Sequence, residues 1–219
     1  MDITINMNKS TKSILIYGVV LYFIWAILEL IIVPMINMDL FIVKTIVLKN
    51  LIWTLPAIYL IKRYNKDMFV QSKEMYSFKI NWILILGLII IMLIVQLLLD
   101  YLTNGKIEMN SSFNVIDIID SGIIAGLAEE LVFRGCFLNK MINKKNKWLM
   151  ILVNAALFLI VHFPIWIREG VFAQNIMSGG FITIMILSIA FSWVFIKCKS
   201  IWGPIVLHMM WNIFCCMFV

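Results

Sequence analysis

Long apolar runs recur along this chain, and they are long enough, or nearly so, to cross a lipid bilayer. We place seven of them at about 13–36, 40–61, 80–99, 115–138, 148–163, 176–196 and 201–219. A transmembrane helix needs roughly 20 predominantly apolar residues, and only helices and closed barrels satisfy their backbone hydrogen bonds within a bilayer. The sequence therefore predicts an all-α, polytopic transmembrane helix bundle with about seven spans.

The basic residues indicate how these spans are oriented. The net charge is +6, which in a soluble protein could indicate nucleic-acid binding. Here, however, most Lys and Arg residues lie at the amino terminus and in the loops 62–79, 139–147 and 197–200, whereas the intervening loops contain only Lys106 and Arg168. By the positive-inside rule, we expect a cytoplasmic amino terminus and no nucleic-acid partner.

Three charged residues interrupt the fourth apolar run: Glu129, Glu130 and Arg134. An ionised side chain at the centre of a membrane helix costs roughly 2.5–3.5 kcal/mol, so such residues are candidates for function. Glu130 and Arg134 are four residues apart, on one helix face, and are expected to form an ion pair. That pair could belong to a functional site, or its role could be limited to fixing the packing of the helices. Glu129 is turned about 100° away and has no partner within its own helix, which leaves it available for chemistry.

The chain contains two histidines, and both lie in apolar runs. His162 follows Phe158 by one helical turn in the fifth run, and His208 precedes Asn212 by one turn in the seventh. A histidine within a helix can have a packing role and no other function. Because these residues join Glu129 as polar groups at lipid depth, we favour the hypothesis that they share a polar cavity inside the bundle.

A carboxylate and two imidazoles in one cavity allow two kinds of chemistry. In the first, Glu129 is a general base for water, helped by His162, while His208 and Asn212 donate hydrogen bonds to an oxyanion. In the second, Glu129, His162 and His208 bind a hydrolytic zinc ion. The sequence lacks an H-E-x-x-H motif, which weakens the second interpretation. Zinc stays possible, and no other cofactor is predicted.

Three motifs in the second half of the chain resemble those of a known family. They are Glu129-Glu130-x-x-x-Arg134, Phe158-x-x-x-His162 and His208-x-x-x-Asn212. Together, and in this order, they are similar to the motifs of the CAAX-protease and bacteriocin-processing (CPBP) family of intramembrane endopeptidases, also called the Abi family. The resemblance runs from about residue 115 to the carboxyl end. We therefore divide the chain into amino-terminal spans at 1–114, with three helices, and a catalytic core at 115–219, with four helices.

The resemblance implies a cavity open to the cytoplasm and hydrolysis of a peptide bond in a small peptide or a membrane-anchored protein precursor. It also implies that Glu129 and His162 activate water and that His208 and Asn212 form the oxyanion pocket. Glu130, Arg134 and Phe158 would support them. The Lys-, Asn- and Ile-rich composition suggests an AT-rich bacterial genome, so we expect a bacterial plasma membrane protein and disfavour a prenylated substrate.

A second class of function remains open, namely a non-enzymatic bacteriocin self-immunity protein or membrane scaffold. A pure binding role would place no demand on Glu129, His162, His208 and Asn212, so their joint presence favours the enzyme.

Charged residues also occur in the first two spans, namely Glu29, Lys44 and Lys49. If the two spans form a hairpin, Glu29 lies nearly level with both lysines, and charges at this depth are costly unless paired. We therefore predict that Glu29 pairs with Lys44 or Lys49. The alternative is that Lys44 extends to the outer interface and Glu29 is protonated.

Overall fold

The computed structural model describes residues 8–36, 47–142 and 146–218, and within them the backbone is mostly helical. The helices are α1 (Lys9–Met35), α2 (50–63), α3 (Trp82–Asn104), α4 (115–141), α5 (Lys147–Ile160), α6 (Phe163–Arg168), α7 (Phe172–Met177), α8 (Gly180–Cys198) and α9 (Trp202–Met217), with further single turns at Asn65–Asp67 and Ser72–Met75. The β-structure among these residues is one isolated antiparallel bridge, between Met109 and Phe218. The predicted all-α fold is confirmed.

Several of these helices have the length and composition of membrane spans. They are α1, α3, α8 and the unit Lys147–Arg168 formed by α5 and α6, and α9 is a shorter apolar helix. Helices α2 and α4 coincide with the second and fourth apolar runs, although part of the second run lies outside the described residues. The chain is therefore a multi-pass membrane protein. The count of seven spans and the cytoplasmic amino terminus stay predictions.

Helix α4 is at the centre of the bundle. All of its residues from Leu131 to Leu138 are buried, and it packs against α2, α5, α8 and α9. A helix with apolar residues on all sides is one that is surrounded by other elements. Helix α3, in contrast, exposes side chains such as Ile83 and Ile91, as a lipid-facing helix would. Glu129, Glu130 and Arg134 of α4 are thus shielded from lipid by neighbouring helices.

Within the described ranges, π-type hydrogen bonding occurs at Leu28–Ile32, Asn50–Thr54, Ile118–Ile124 and Leu131–Leu138, among other residues. Charged residues of the membrane helices lie in or next to these segments, including Asp120 in the third. Glu29 is inside the first, Lys49 directly precedes the second, and Arg134 is inside the fourth. Because π-turns are rare and frequently occur at functional sites, this coincidence directs attention to these three charges.

Two predicted boundaries are wrong. The region 164–175 was expected to be a loop, but it contains α6 and α7. Pro164 ends no helix there and lies in the first turn of α6, where its missing N–H has no helical partner to lose. Helix α3 extends past its predicted end at residue 99 to Asn104, where Gly105 adopts a left-handed conformation with φ 74°, as is common after a helix C-terminus.

The polar segment between α2 and α3 packs onto one end of the bundle. The side chain of Asn139, which is fully buried, accepts a hydrogen bond from the Val70 N–H at 2.7 Å and donates one to the Val70 carbonyl at 2.9 Å. The Ile201 N–H donates to the Met75 carbonyl at 2.9 Å. These bonds attach the segment to the ends of α4 and α9, so it covers the helices that contain the site.

Candidate functional site

The predicted site residues come from three parts of the bundle that meet around Phe158. Glu129 and Glu130 are on α4, His162 follows the last turn of α5, and His208 is on α9. The Phe158 ring lies edge-on to both imidazoles, with centroid distances of 4.9 Å to His162 and 5.8 Å to His208. The two histidines are therefore neighbours across one aromatic ring, on the side of α4 that contains the glutamates.

Glu130 and Arg134 form the expected ion pair, and no solvent reaches either side chain. Arg134 Nη1 donates to Glu130 Oε1 at 2.8 Å. Its Nη2 donates to the carbonyl of Ser188 at 3.0 Å and to the Ser188 hydroxyl at 2.7 Å. The guanidinium also lies over the Phe158 ring, at 4.7 Å, and near the Phe191 ring, at 5.5 Å. Arg134 thus joins α4 to α5 and α8.

Glu130 has a second partner, which the sequence did not indicate. His208 Nδ1 lies 2.8 Å from Glu130 Oε1, the same oxygen that binds Arg134. Because a carboxylate accepts hydrogen bonds, this contact assigns a proton to Nδ1. The Phe191 ring stacks on the imidazole, with a centroid distance of 5.3 Å and an interplanar angle of 26°. Glu130 and Phe191 therefore fix the ring orientation, so that Nε2 points towards Glu129.

Glu129 is 8% exposed, and its two oxygens have different surroundings. Oε1 accepts a hydrogen bond from Lys49 Nζ at 2.8 Å. Oε2 lies 3.8 Å from His208 Nε2, which is too far for a hydrogen bond. The imidazole of His162 is also within electrostatic range of this carboxylate. Glu129 lacks a partner on its own helix, as predicted, but it has one directly before α2 that the sequence analysis missed.

His162 is held by the backbone of its own helix. Its Nδ1 lies 2.7 Å from the carbonyl oxygen of Phe158, one turn earlier. A carbonyl only accepts, so Nδ1 donates, and Nε2 of a neutral imidazole is left as an acceptor. The second residue of the Phe158-x-x-x-His162 motif is thus oriented by the first, through a main-chain atom as well as a ring contact.

Asn212 is half-buried and ties α9 to the first part of α4. Its Nδ2 donates one hydrogen bond, to the carbonyl of Ser121 at 2.7 Å, and retains a second N–H. The two helices also approach closely at Gly126, where an added Cβ would lie 2.9 Å from Met209 Cγ and 3.2 Å from the Met209 nitrogen. A small residue permits this approach, which places His208, next to Met209, against the glutamates.

Glu29 does not pair with Lys49, so that part of the prediction is wrong. Arg168 Nε donates to Glu29 Oε2 at 2.9 Å, whereas Lys49 binds Glu129. The prediction assumed that α1 and α2 supply each other's partners and that a loop follows Pro164. Arg168 lies instead on α6, which packs against the π-helical turn of Glu29. The other predicted partner, Lys44, lies outside the described residues.

The three proposed zinc ligands are not arranged for a metal ion. Within the part of the chain that the structure describes, no group of three or more His, Cys, Asp and Glu side chains has suitable geometry. The Lys49 ammonium occupies Glu129 Oε1, so the protein itself supplies a cation there. These residues do not fit zinc, and we derive no catalytic step through a metal.

Comparison with known proteins adds one finding. Residues 111–214 match the model of a family described as type II CAAX prenyl endopeptidase Rce1-like. The matched segment begins just before α4 and contains the three motifs, whereas Glu29 and Lys49 lie outside it. The searches of curated proteins and of solved structures gave no match.

Proposed function

We propose that this chain is a CAAX-protease-like intramembrane endopeptidase in which Glu129 and His162 activate water. The proposal draws on the match of residues 111–214 to the model of the Rce1-like family of type II CAAX prenyl endopeptidases. The observation that carries the proposal is the position of Glu129. One of its oxygens is bound by a lysine and the other faces a histidine without a hydrogen bond to it. A buried carboxylate with one oxygen fixed and one available is suited to accept a proton.

In the proposed reaction, Glu129 Oε2 takes a proton from water while the hydroxide attacks the carbonyl carbon of the peptide bond. A water molecule could be within hydrogen-bond reach of both Oε2 and His208 Nε2, which are 3.8 Å apart. His162, whose Nε2 is an acceptor, would orient the same water or share its proton. A positioned general base typically contributes about 10²–10⁴ in rate.

The oxyanion pocket would consist of His208 and Asn212. Since Nδ1 of His208 donates to Glu130, Nε2 can donate to an oxyanion only in the doubly protonated imidazolium. The Glu130 carboxylate, at 2.8 Å, accepts the Nδ1 proton of the ring. The second N–H of Asn212, which Ser121 does not use, would be the other donor. This gives Glu130 a function in addition to its ion pair with Arg134.

We propose a peptide or a membrane-anchored precursor as the substrate, because the site lies on membrane helices and anchoring would bring the scissile bond to it. The family's description names prenylated CAAX proteins. The composition, typical of an AT-rich bacterial genome, favours an unprenylated peptide.

The test uses purified protein in liposomes and a panel of fluorogenic peptides, with and without a lipid-modified carboxyl-terminal cysteine. We expect Glu129→Gln and His162→Ala to lower kcat by about 10²-fold or more. The Glu129→Gln protein should remain folded, because the amide oxygen can still accept the Lys49 hydrogen bond. Glu74→Gln, at an exposed carboxylate beside Lys199, is the control and should have normal activity.

Two outcomes would contradict the proposal. Glu129→Gln protein that cleaves peptide at close to the wild-type rate would rule out Glu129 as the base. If the chain protects its host against a bacteriocin, and Glu129→Gln leaves that protection intact, the non-enzymatic immunity function would be the better explanation.

A further inference from the structure

Lys49 is a buried cation from outside the segment that matches the protease family. It lies on the second helical segment, directly before the π-helical turn Asn50–Thr54, and is 6% exposed. Its Nζ contacts Glu129 Oε1 at 2.8 Å. A lysine at lipid depth is costly unless it is paired or extends to the interface. The side chain of Lys49 points into the bundle, so the contact with Glu129 accounts for its burial.

Two tryptophans fix the position of this ammonium. Nζ lies 5.6 Å from the ring centroid of Trp25 and 5.2 Å from that of Trp53. Both indoles are buried, and they meet edge-on with a centroid distance of 4.9 Å. Trp25 Nε1 also donates to the carbonyl of Val161 at 3.2 Å, next to His162. The lysine is therefore held by aromatic rings of α1 and α2, and the ring of α1 is itself hydrogen-bonded to the residue before His162.

Each of the two buried glutamates of the site contacts a basic side chain. Arg134 neutralises Glu130, and Lys49 is the cation that contacts Glu129. Burial disfavours a charged carboxylate that has no counter-charge. Without Lys49, the Glu129 carboxylate would lose the contact that fixes Oε1 and, with it, the orientation of Oε2 towards His208.

We propose that Lys49 is a positioning residue for hydrolysis, which holds Oε1 of Glu129 so that Oε2 is turned towards His208. This inference rests on the proposed function, because it requires Glu129 to accept the proton of water. In that step Glu129 gains the proton, the hydroxide bonds to the carbonyl carbon, and the negative charge moves to the carbonyl oxygen. The net charge of the site is unchanged, and Lys49 remains to balance it. The amino-terminal spans are then part of the catalytic site.

The kinetic test compares three lysine variants in liposomes with the peptide that the wild type cleaves. Lys49→Met keeps the length of the side chain and removes its charge, Lys49→Arg keeps a charge, and Lys62→Met is a control at an exposed lysine on α2. We expect Lys49→Met to lower kcat by about 10²-fold or more with KM within about threefold, because the general base is no longer held in position. Lys49→Arg should restore at least about tenfold of that loss, and Lys62→Met should resemble the wild type.

A stability test examines the contact between Lys49 and Glu129 without measuring catalysis. It can therefore be interpreted even if a variant is inactive or folds poorly. The melting temperatures of Lys49→Met, Glu129→Gln and the double variant form a double-mutant cycle that requires no catalysis. We expect Lys49→Met to lower the melting temperature less in the Glu129→Gln background than in the wild type.

Losses of melting temperature that add up in the double variant would overturn the inference. It would also be overturned by a normal kcat of Lys49→Met where Glu129→Gln is inactive, or by Lys49→Arg being as inactive as Lys49→Met. An active Glu129→Gln protein would instead contradict the proposed function.

Discussion

Replacing Arg134 with alanine should destabilise the protein strongly. Arg134 and Glu130 are both fully shielded from solvent, so the substitution leaves a buried carboxylate without its counter-charge. Removing one partner of a buried ion pair typically costs about 3–5 kcal/mol. At about 2–4 °C per kcal/mol for a chain of this size, we expect the melting temperature in detergent to fall by about 6–20 °C.

Two further variants calibrate this loss. Ser188→Ala removes one hydrogen bond from Arg134, while the Ser188 carbonyl still accepts the other, so it should cost about 1 kcal/mol. Glu74→Ala breaks an ion pair with Lys199 in which both side chains are more than half exposed. Such pairs contribute about 0–1 kcal/mol. The order of destabilisation should therefore be Arg134→Ala, then Ser188→Ala, then Glu74→Ala.

The measurement is thermal unfolding of the purified variants, together with their amount in the membrane. Adding Glu130→Gln to Arg134→Ala should recover part of the loss, because the unpaired charge is then gone. A melting temperature for Arg134→Ala equal to that of Ser188→Ala would refute the argument. Normal stability combined with lost cleavage would show instead that Arg134 acts on the substrate.

Two other positions allow similar tests. Gly126→Ala should destabilise the protein by about 1–3 kcal/mol and lower its activity, because the new Cβ would displace α9 next to His208. Adding Met209→Ala should recover only part of the lost stability, since the Met209 backbone nitrogen is also close to that Cβ. Asn139→Ala should leave the buried Val70 N–H and carbonyl without their partner, which costs about 1–3 kcal/mol per group. In limited proteolysis, the segment 64–79 should then be cleaved faster than in the wild type.

The contacts that could be predicted from the sequence are those within one helix. Glu130 and Arg134, four residues apart, pair as the spacing predicts. Phe158 and His162 have the same spacing and interact through a ring contact and a hydrogen bond. Helical geometry alone determines these distances, so no knowledge of the rest of the fold is needed. The recurrence of long apolar runs predicted the helical membrane fold for a similar reason, because a helix that spans a bilayer forms its backbone hydrogen bonds within the same segment.

The contacts between helices could not be predicted in this way. Lys49 and Glu129 are separated by 80 residues, and Glu130 and His208 by 78. Which helices are neighbours depends on the packing of the whole bundle. The sequence did signal that Lys49 needs a partner, because it is a charge at lipid depth. The partner was assigned to the adjacent span, whereas α4, at the centre of the bundle, is within reach of many elements.

The packing of α4 explains why the counter-charge of Glu129 comes from another helix. The positions one turn away from Glu129 on α4 are Ala125, Gly126, Val132 and Phe133. A longer side chain at Gly126 would collide with Met209 and separate α9 from α4. Phe133 is fully buried between aromatic rings of α2 and α5. A cation at either position would disrupt the contacts that bring the histidines to Glu129. Lys49 avoids this conflict because it reaches the carboxylate from the residue directly before α2. The catalysis that we propose for the matched segment would then depend on a residue outside it.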